Sequence, residues 1–563
     1  MASVKNVGDE FYGDSCSQPF ESLETLYFEN MEEWESWSPN GEFPHLRELT
    51  IRNCPKLLEN LPNHLPSLQS VVIERCEQLV VSISSFPELC KVEFENSRGV
   101  VRKSKVDFTS LNSKSLSRIS GFTCPRVGFM NVKSLRITNC EELTPFWSNE
   151  VGLLKPLPCL SYVEVDNCQK LVSLVAEEVK EQQQQGMSST RNDTKSLPKA
   201  LMYNNKCLEH ILINKCDSLT HIATGQLPPT LKRLQIWNCE NIIQILLDKN
   251  DTNSCSSNTS LLEYLEIYGC PSLKFLTSSR EFLATLKHVD IENCGMLESV
   301  AKSFHRNSPL EIIYIEHCIN LESLLDEGLL PCNLRVLRIS DCEKMRALPN
   351  CIHSFTSLRE LEIVKCPGVA SFPGEGFPTN LTSLDIRDCN INEALLEWGL
   401  QKLTSLQRLQ FGECPHLVSF PEMTLSTSLA SLHISNLPDL KYLSSKGFRY
   451  LSSLKTLRIG WCKKLMSFPD DGLPPSLLHL RIFCCEMFTS FPKDGLPPLL
   501  QQLHIANCPL LKEHCKKDQG REWSKIAHIP RVEIDDRFIY DPEPEEQNQP
   551  MDQYRLEILF YYA

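Results

Sequence analysis

The sequence predicts a repeat solenoid of α/β class: a leucine-rich-repeat horseshoe with a parallel β-sheet on the concave face and a mostly irregular convex side. Three observations predict it. The stretch Leu358-Arg359-Glu360-Leu361-Glu362-Ile363-Val364-Lys365-Cys366 carries the pattern L-x-x-L-x-I-x-x-C, and the pattern returns at Leu334, Leu381, Leu406, Leu429, Leu454, Leu477 and Leu500, 23 to 25 residues apart. A cysteine recurs at the position where each unit leaves its strand. Gly and Pro recur together where the chain returns to the next strand, as in Gly472 to Pro475 and Gly495 to Pro498. A unit of this length is too small to bury its own apolar side, so neighbours must stack into one continuous core.

Within a unit the residues explain the elements. In Leu361-Glu362-Ile363 the alternation sends Leu and Ile to one side of a strand and Glu to the other. Leu358, Leu361, Ile363, Cys366, Val369 and Phe372 then face inward, the large ones contributing roughly 1.5–3 kcal/mol each if fully buried. Cys366 suits the turn because a thiol is small, largely apolar and still a weak donor to a carbonyl. Phe-Pro or Leu-Pro next ends regular structure, since proline lacks a donor and fixes φ. Glycine then supplies the tight turn and proline stiffens the extended return.

Along the chain, residues 1–19 read as a polar, irregular lead-in, too short and too polar to cover the edge of a first strand, with Phe11, Tyr12 and Phe20 the only large apolar groups near. A first repeat block spans 20–175 and degenerates at about 97–129. A Gln/Ser-rich insertion at 176–206 reads as a solvated loop, because it cannot bury enough apolar area to offset its chain entropy. The regular second block spans 207–511, and a closing segment at 512–540 brings Trp523 to Pro530 toward the last repeat. An acidic, proline-rich tail occupies 541–563.

Composition excludes several function classes. A net charge of −14 over 563 residues argues against a general nucleic-acid or anionic-membrane binder. No apolar run reaches the length of a membrane span, and Met1 to Glu10 lacks a secretory apolar core. The 26 cysteines contain no C-x-x-C pair, and sixteen of them sit at the repeat's turn: Cys54, Cys76, Cys140, Cys168, Cys216, Cys239, Cys270, Cys294, Cys318, Cys342, Cys366, Cys389, Cys414, Cys462, Cys485 and Cys508. Such thiols are core residues of a reduced protein, so the expected compartment is the cytoplasm. The Asn-x-Ser/Thr triplets at Asn192, Asn258 and Asn380 are then chance matches.

The Cys-type repeat resembles the C-terminal repeat region of plant intracellular nucleotide-binding leucine-rich-repeat disease-resistance proteins of the coiled-coil class. Val7-Gly8-Asp9-Glu10-Phe11-Tyr12-Gly13 with Phe20 to Leu26 and Met31-Glu32-Glu33-Trp34 resembles an internal junction of that region. Cys508-Pro509-Leu510-Leu511-Lys512-Glu513 with Trp523 to Pro530 resembles its close. The resemblance covers residues 7–535. It implies a non-catalytic recognition array in plant defence, whose protein ligand is a pathogen effector or a guarded host protein. It also implies a nucleotide-binding switch domain as a further partner. The phosphate loop of such a domain, G-x-x-x-x-G-K-[ST], has no counterpart here because no Gly-Lys dipeptide occurs, so no cofactor is expected. The alternative is a substrate-receptor adaptor in ubiquitin ligation.

The candidate surface follows from strand alternation. Between the Leu and Ile of successive units lie Glu266, Asp290, Tyr314, Arg338, Glu362, Asp385, His433, Arg458, Arg481 and His504; after the Ile lie Tyr268, Glu292, Glu316, Arg387 and Phe483, with Trp461 next in the chain. Strands about 4.8 Å apart turn these positions into ladders. The ladders run acidic with tyrosines in the middle and basic toward the C-terminus, with aromatics and arginines of the kind that anchor protein interfaces. No catalytic or metal site is expected: His514 with Cys515 lacks further ligands at metal spacing, and no G-x-S-x-G elbow occurs.

Overall fold

A computed structural model describes residues 3–12, 20–37, 43–58, 61, 65–76, 78–79, 91–95, 133–138, 159–169, 171–172, 206–224, 227–247, 261–276, 284–301, 308–325, 331–346, 348, 352–369, 376–389, 399–413, 417–419, 425–443, 448 and 450–539. Two compact units divide at Leu403 and Thr404. The degenerate stretch at 97–129, the insertion up to residue 205, the tail at 541–563, Cys140 and Cys414 lie outside the described residues.

The first unit is one parallel ladder. From Thr25–Glu29 to Ser383–Arg387 each five-residue strand pairs in register with the next repeat's strand. Tyr162–Asp166 pairs directly with His210–Asn214, so the sheet runs on across the insertion, and the division at 403 falls elsewhere. The second unit repeats the arrangement from Arg408–Gly412 to Gln502–Ala506. Both units are leucine-rich-repeat solenoids.

In the strand Glu360–Val364, Leu361 and Ile363 are 1% and 0% exposed, with Glu362 half-buried. Phe468 and Phe491, the apolar partners of two Phe-Pro steps, stack 6.5 Å apart between neighbouring repeats. Gly472 and Gly495, in the returns, take φ of +86° and +91°, where a side chain would be strained. Opposite the sheet, the described regular structure is sparse: short parallel pairs such as Ser299–Ala301 with Ser323–Leu325, and single 3-10 turns at Ile352–Ser354 and Leu400–Lys402. The α character of the class is correspondingly slight.

The device that ends each strand is regular. The residue just before the repeat cysteine is left-handed throughout the described repeats, from Asn53 (φ 52°) through Lys365 (φ 51°) to Asn507 (φ 52°). Its N–H still donates to the neighbouring strand's last carbonyl, as in Lys365 to Arg387 at 2.9 Å and Asn238 to Tyr268 at 2.7 Å. The cysteine then turns inward. Cys366 Sγ donates to the Val364 carbonyl at 3.3 Å and approaches the Ile339 carbonyl at 3.9 Å. Every repeat cysteine among the described residues is buried and free of disulfides.

Both ends carry more structure than composition suggests. Asn6–Val7 pairs with Ser36–Trp37, Tyr12 is buried, and Trp37 Nε1 donates to its hydroxyl at 2.9 Å. Phe11 and Phe20 pack at 5.1 Å and reach Phe28 and Phe43, so the described residues 3–12 are ordered against the first repeat, and Phe11, Tyr12 and Phe20 join a cluster around Trp34 and Trp37. At the other end Pro509–His514 and Trp523–Ile526 are helical, and Arg531–Ile534 adds a parallel strand beside Gln502–Ala506. The buried Glu522 fastens this cap by accepting from Phe491 N at 3.0 Å and Lys525 Nζ at 2.9 Å.

Candidate functional site

Positions 1, 3 and 5 of every strand point to one solvent-facing side of the sheet. In the first unit this brings Glu266, Asp290, Tyr314, Arg338, Glu362 and Asp385 into one ladder and Tyr268, Glu292 and Glu316 into a second, with Arg387 at its end. Much of this surface is satisfied from within. Glu266 accepts from Trp237 Nε1 at 2.9 Å, Gln235 Nε2 at 2.9 Å and Tyr264 OH at 3.0 Å. Arg338 pairs with Glu360 at 3.2 Å and Glu362 at 3.4 Å while lying over Tyr314. Arg387 grips Asp385 through two bonds of 2.9 and 3.1 Å.

The acidic centre is different. Burial first, then the charges of Glu266, Glu292 and Glu316, push Asp290 up to about 6. Burial and Glu316 likewise raise Glu292. Stacking carboxylates on adjacent strands costs stability unless a cation or a proton intervenes.

In the second unit the same alternation aligns His433, Arg458, Arg481 and His504 on four successive strands. Arg458 and Arg481 are register partners, and no carboxylate lies within ion-pair distance of either among the described residues. Arg481 lies over Phe483, with its guanidinium 5.4 Å from the ring centre. The Phe483 ring covers Gly460, where a β-carbon would run into it. Trp461 is not on the strand but in the left-handed position after it (φ 57°), 41% exposed, its ring edge-on to Phe483 at 6.2 Å. The turn of the repeat sets that conformation, through the Trp461 N–H bond to the Phe483 carbonyl at 3.0 Å, and leaves the indole in solvent.

Position 1 of each strand escaped the sequence reading, which took only positions 3 and 5. Tyr264 and His288 belong to the first unit's face in this way, and His479, Gln502 and Arg531 to the second's. Extending the period-2 alternation by one step would have found them. His514 and Cys515 are accounted for structurally: His514 Nδ1 meets the Thr489 carbonyl at 2.7 Å, and burial pushes the Cys515 thiol up to about 12. No helix among the described residues is long and apolar enough to cross a membrane.

Over 197 residues the chain is 28% identical to disease resistance RPP13-like protein 1 of Arabidopsis thaliana, a match covering 30% of this chain and 18% of that protein. Over 125 residues it is 32% identical to a second Arabidopsis disease resistance protein, covering 21% of this chain and 8% of the other. In its repeats, the chain is homologous to plant disease-resistance proteins. The matches thus span less than a fifth of these relatives' lengths. No family model matches. Among solved structures, a circular leucine-rich-repeat protein, CroV588, aligns over 91% of this chain and 78% of its own at a TM-score of 0.40 and 15% identity. YopM of Yersinia enterocolitica aligns over 86% and 83% at 0.37 and 16%. The fold assignment rests on the in-register ladders themselves.

Proposed function

We propose that this chain is a non-catalytic protein-recognition array of the plant disease-resistance type, acting in the cytoplasm and sensing a pathogen effector or a guarded host protein. The observation that carries the reading is the solvent-facing ladder of the second unit. There, Arg458 and Arg481, with no carboxylate in ion-pair distance among the described residues, stand beside exposed Trp461 and half-buried Phe483 on an in-register sheet. Aromatic and arginine side chains held in fixed positions lose little entropy on binding and supply most of the energy at protein interfaces. Homology to disease-resistance proteins supports the defence context, and the free, buried thiols support a reducing compartment. A nucleotide-binding switch domain is the further partner this reading calls for.

Quantitative co-purification from plant tissue tests it, comparing the wild-type chain with Trp461→Ala and Phe483→Ala. Loss of a specific partner in the variants, at unchanged melting temperature, is expected. Identical partner profiles for all three proteins would remove the face from the recognition role, and recovery of ubiquitin-ligase subunits would replace the sensor reading with an adaptor.

A further inference from the structure

The second unit's sheet face contains a cleft of about 490 Å³ whose polar lining includes Arg458, His479, Arg481, His504, Arg531 and Glu533. Its charge is arranged unusually for this protein. Several other sheet arginines meet a carboxylate: Arg52 meets Glu74 at 2.9 Å, Arg136 meets Glu164 at 2.8 Å and Arg387 meets Asp385 at 2.9 Å, while Arg233 lies over the Tyr264 ring. Here two arginines face each other across neighbouring strands with no carboxylate on either. Like charges directly opposite destabilise a sheet. Burial, and then the Arg458 charge, pull Arg481 below its ordinary value. Arg481 Nε, His479 Nδ1 and His504 Nδ1 are buried and lack hydrogen-bond partners among the described residues. A folded chain leaves buried donors unsatisfied at a cost that a ligand can remove.

We infer that this cleft binds an acidic peptide segment of a partner protein, with carboxylates bridging Arg458 and Arg481. The inference rests on the recognition reading of this face and names the chemistry of its ligand. Two guanidinium forks one strand spacing apart suit carboxylates, each able to accept two parallel N–H bonds. A peptide fits better than a polyphosphate or a nucleic acid because the rim is not uniformly basic. Glu533 and Asp536 lie 3.8 and 3.9 Å from His504 Nε2. Those carboxylates can accept the main-chain N–H groups that a peptide offers and a polyphosphate lacks. Phe483, against Arg481, provides an apolar floor for a side chain beside the acidic ones.

The test is fluorescence anisotropy on the full chain with labelled hexaglutamate and hexaglutamine peptides, and with inorganic tripolyphosphate as competitor. Hexaglutamate should bind, and binding should weaken with salt. Arg458→Glu should weaken it at least tenfold without lowering the melting temperature. Arg481→Gln is the second variant, and should weaken it with Arg458 intact. Hexaglutamine should not bind. Absence of hexaglutamate binding, indifference to both arginine substitutions, or tighter binding of tripolyphosphate than of the peptide would overturn the inference. If the peptide fails while Trp461→Ala still changes the co-purified partner, the acidic ligand is wrong and the recognition face stands. If neither responds, both fall.

Discussion

Alanine in place of Gly269, set against alanine in place of Gly295 one repeat later, isolates the strand-ending turn. Gly269 takes φ +64°, donates its N–H to the Glu292 carbonyl at 2.9 Å, and would place a β-carbon 2.7 Å from Asn238 Oδ1. Gly295 lies outside the left-handed region, and a β-carbon there would meet nothing within 4 Å. Both changes reduce the freedom of the unfolded chain alike, by roughly 0.4–1 kcal/mol in favour of folding, so that contribution cancels in the comparison. What remains at 269 is the left-handed cost of about 1–2 kcal/mol for a residue with a β-carbon. Displacing Asn238 also weakens its 3.1 Å bond to Asn214, roughly 0.5–1.5 kcal/mol more. Gly269→Ala should therefore lie about 1.5–3.5 kcal/mol below Gly295→Ala, and Gly295→Ala should be at or above wild type. Native-state hydrogen exchange suits the measurement, because a long repeat array need not unfold in one step. Ladder amides of the strands Arg233–Trp237 and His288–Glu292 should exchange about tenfold to several hundredfold faster in Gly269→Ala than in Gly295→Ala. Equal exchange in the two variants would refute the claim that a left-handed residue must precede each cysteine.

Three further outcomes follow from the same packing. Leu361→Asp buries an unpartnered carboxylate at a site 1% exposed and should unfold the central repeats, whereas Glu362→Ala loses only a partly exposed 3.4 Å pair with Arg338 and should stay within about 1 kcal/mol of wild type; equal losses in thermal melts would sink the inside–outside assignment. Thiol titration of denatured, unreduced protein should find the repeat cysteines free, and widespread disulfides would contradict both the structure and the cytoplasmic proposal. Asp290, raised from 3.8 to about 6, holds a proton in the native state that the unfolded chain has released. Its favourable contribution is therefore full below pH 3.8 and is lost as pH rises through about 6. Relative to wild type, Asp290→Asn should gain on the order of 1 kcal/mol across that window, after allowing for solvent screening. A constant difference from pH 3 to 8 would remove burial and the neighbouring carboxylates as the cause.

The repeat, its strands and its inward cysteines were legible because they depend on spacing within one unit. Leu361, Ile363 and Cys366 announce themselves by period, and the structure buries each of them. The left-handed position was only half visible. Asn and Asp, which tolerate that conformation, occupy it at Asn53, Asn167, Asn238, Asp341 and Asn507, but Arg75, Lys365 and Trp461 occupy it too. The ladder bond from that residue's N–H to the neighbouring strand sustains the conformation where the side chain does not favour it. A constraint supplied by the next repeat leaves no mark on the residue it acts upon. The start of the chain was underestimated for a related reason: Phe11, Tyr12 and Phe20 look few when counted within residues 1–20, yet they complete a cluster that Phe28, Trp34, Trp37 and Phe43 have already begun.

The candidate surface shows the same limit at the level of chemistry. From sequence, Arg338 and Arg458 occupy equivalent positions in their repeats and have equal claim to a ligand. In the structure Arg338 sits beside a strand that carries both Glu360 and Glu362, and its charge is taken. Arg458 sits beside a strand whose three outward residues are His479, Arg481 and Phe483, none of them anionic. Which arginine is available is therefore decided by the composition of the adjacent strand at the same register, not by the residue or its own repeat. Reading outward positions as rows across three strands, rather than as columns along one, separates side chains that hold the solenoid together from those left for a partner. On that criterion Glu266, Arg338 and Glu362 belong mainly to the first group, which Asp385 and Arg387 join through a pair within their own strand, and Arg458 and Arg481, with Trp461 beside them, belong to the second.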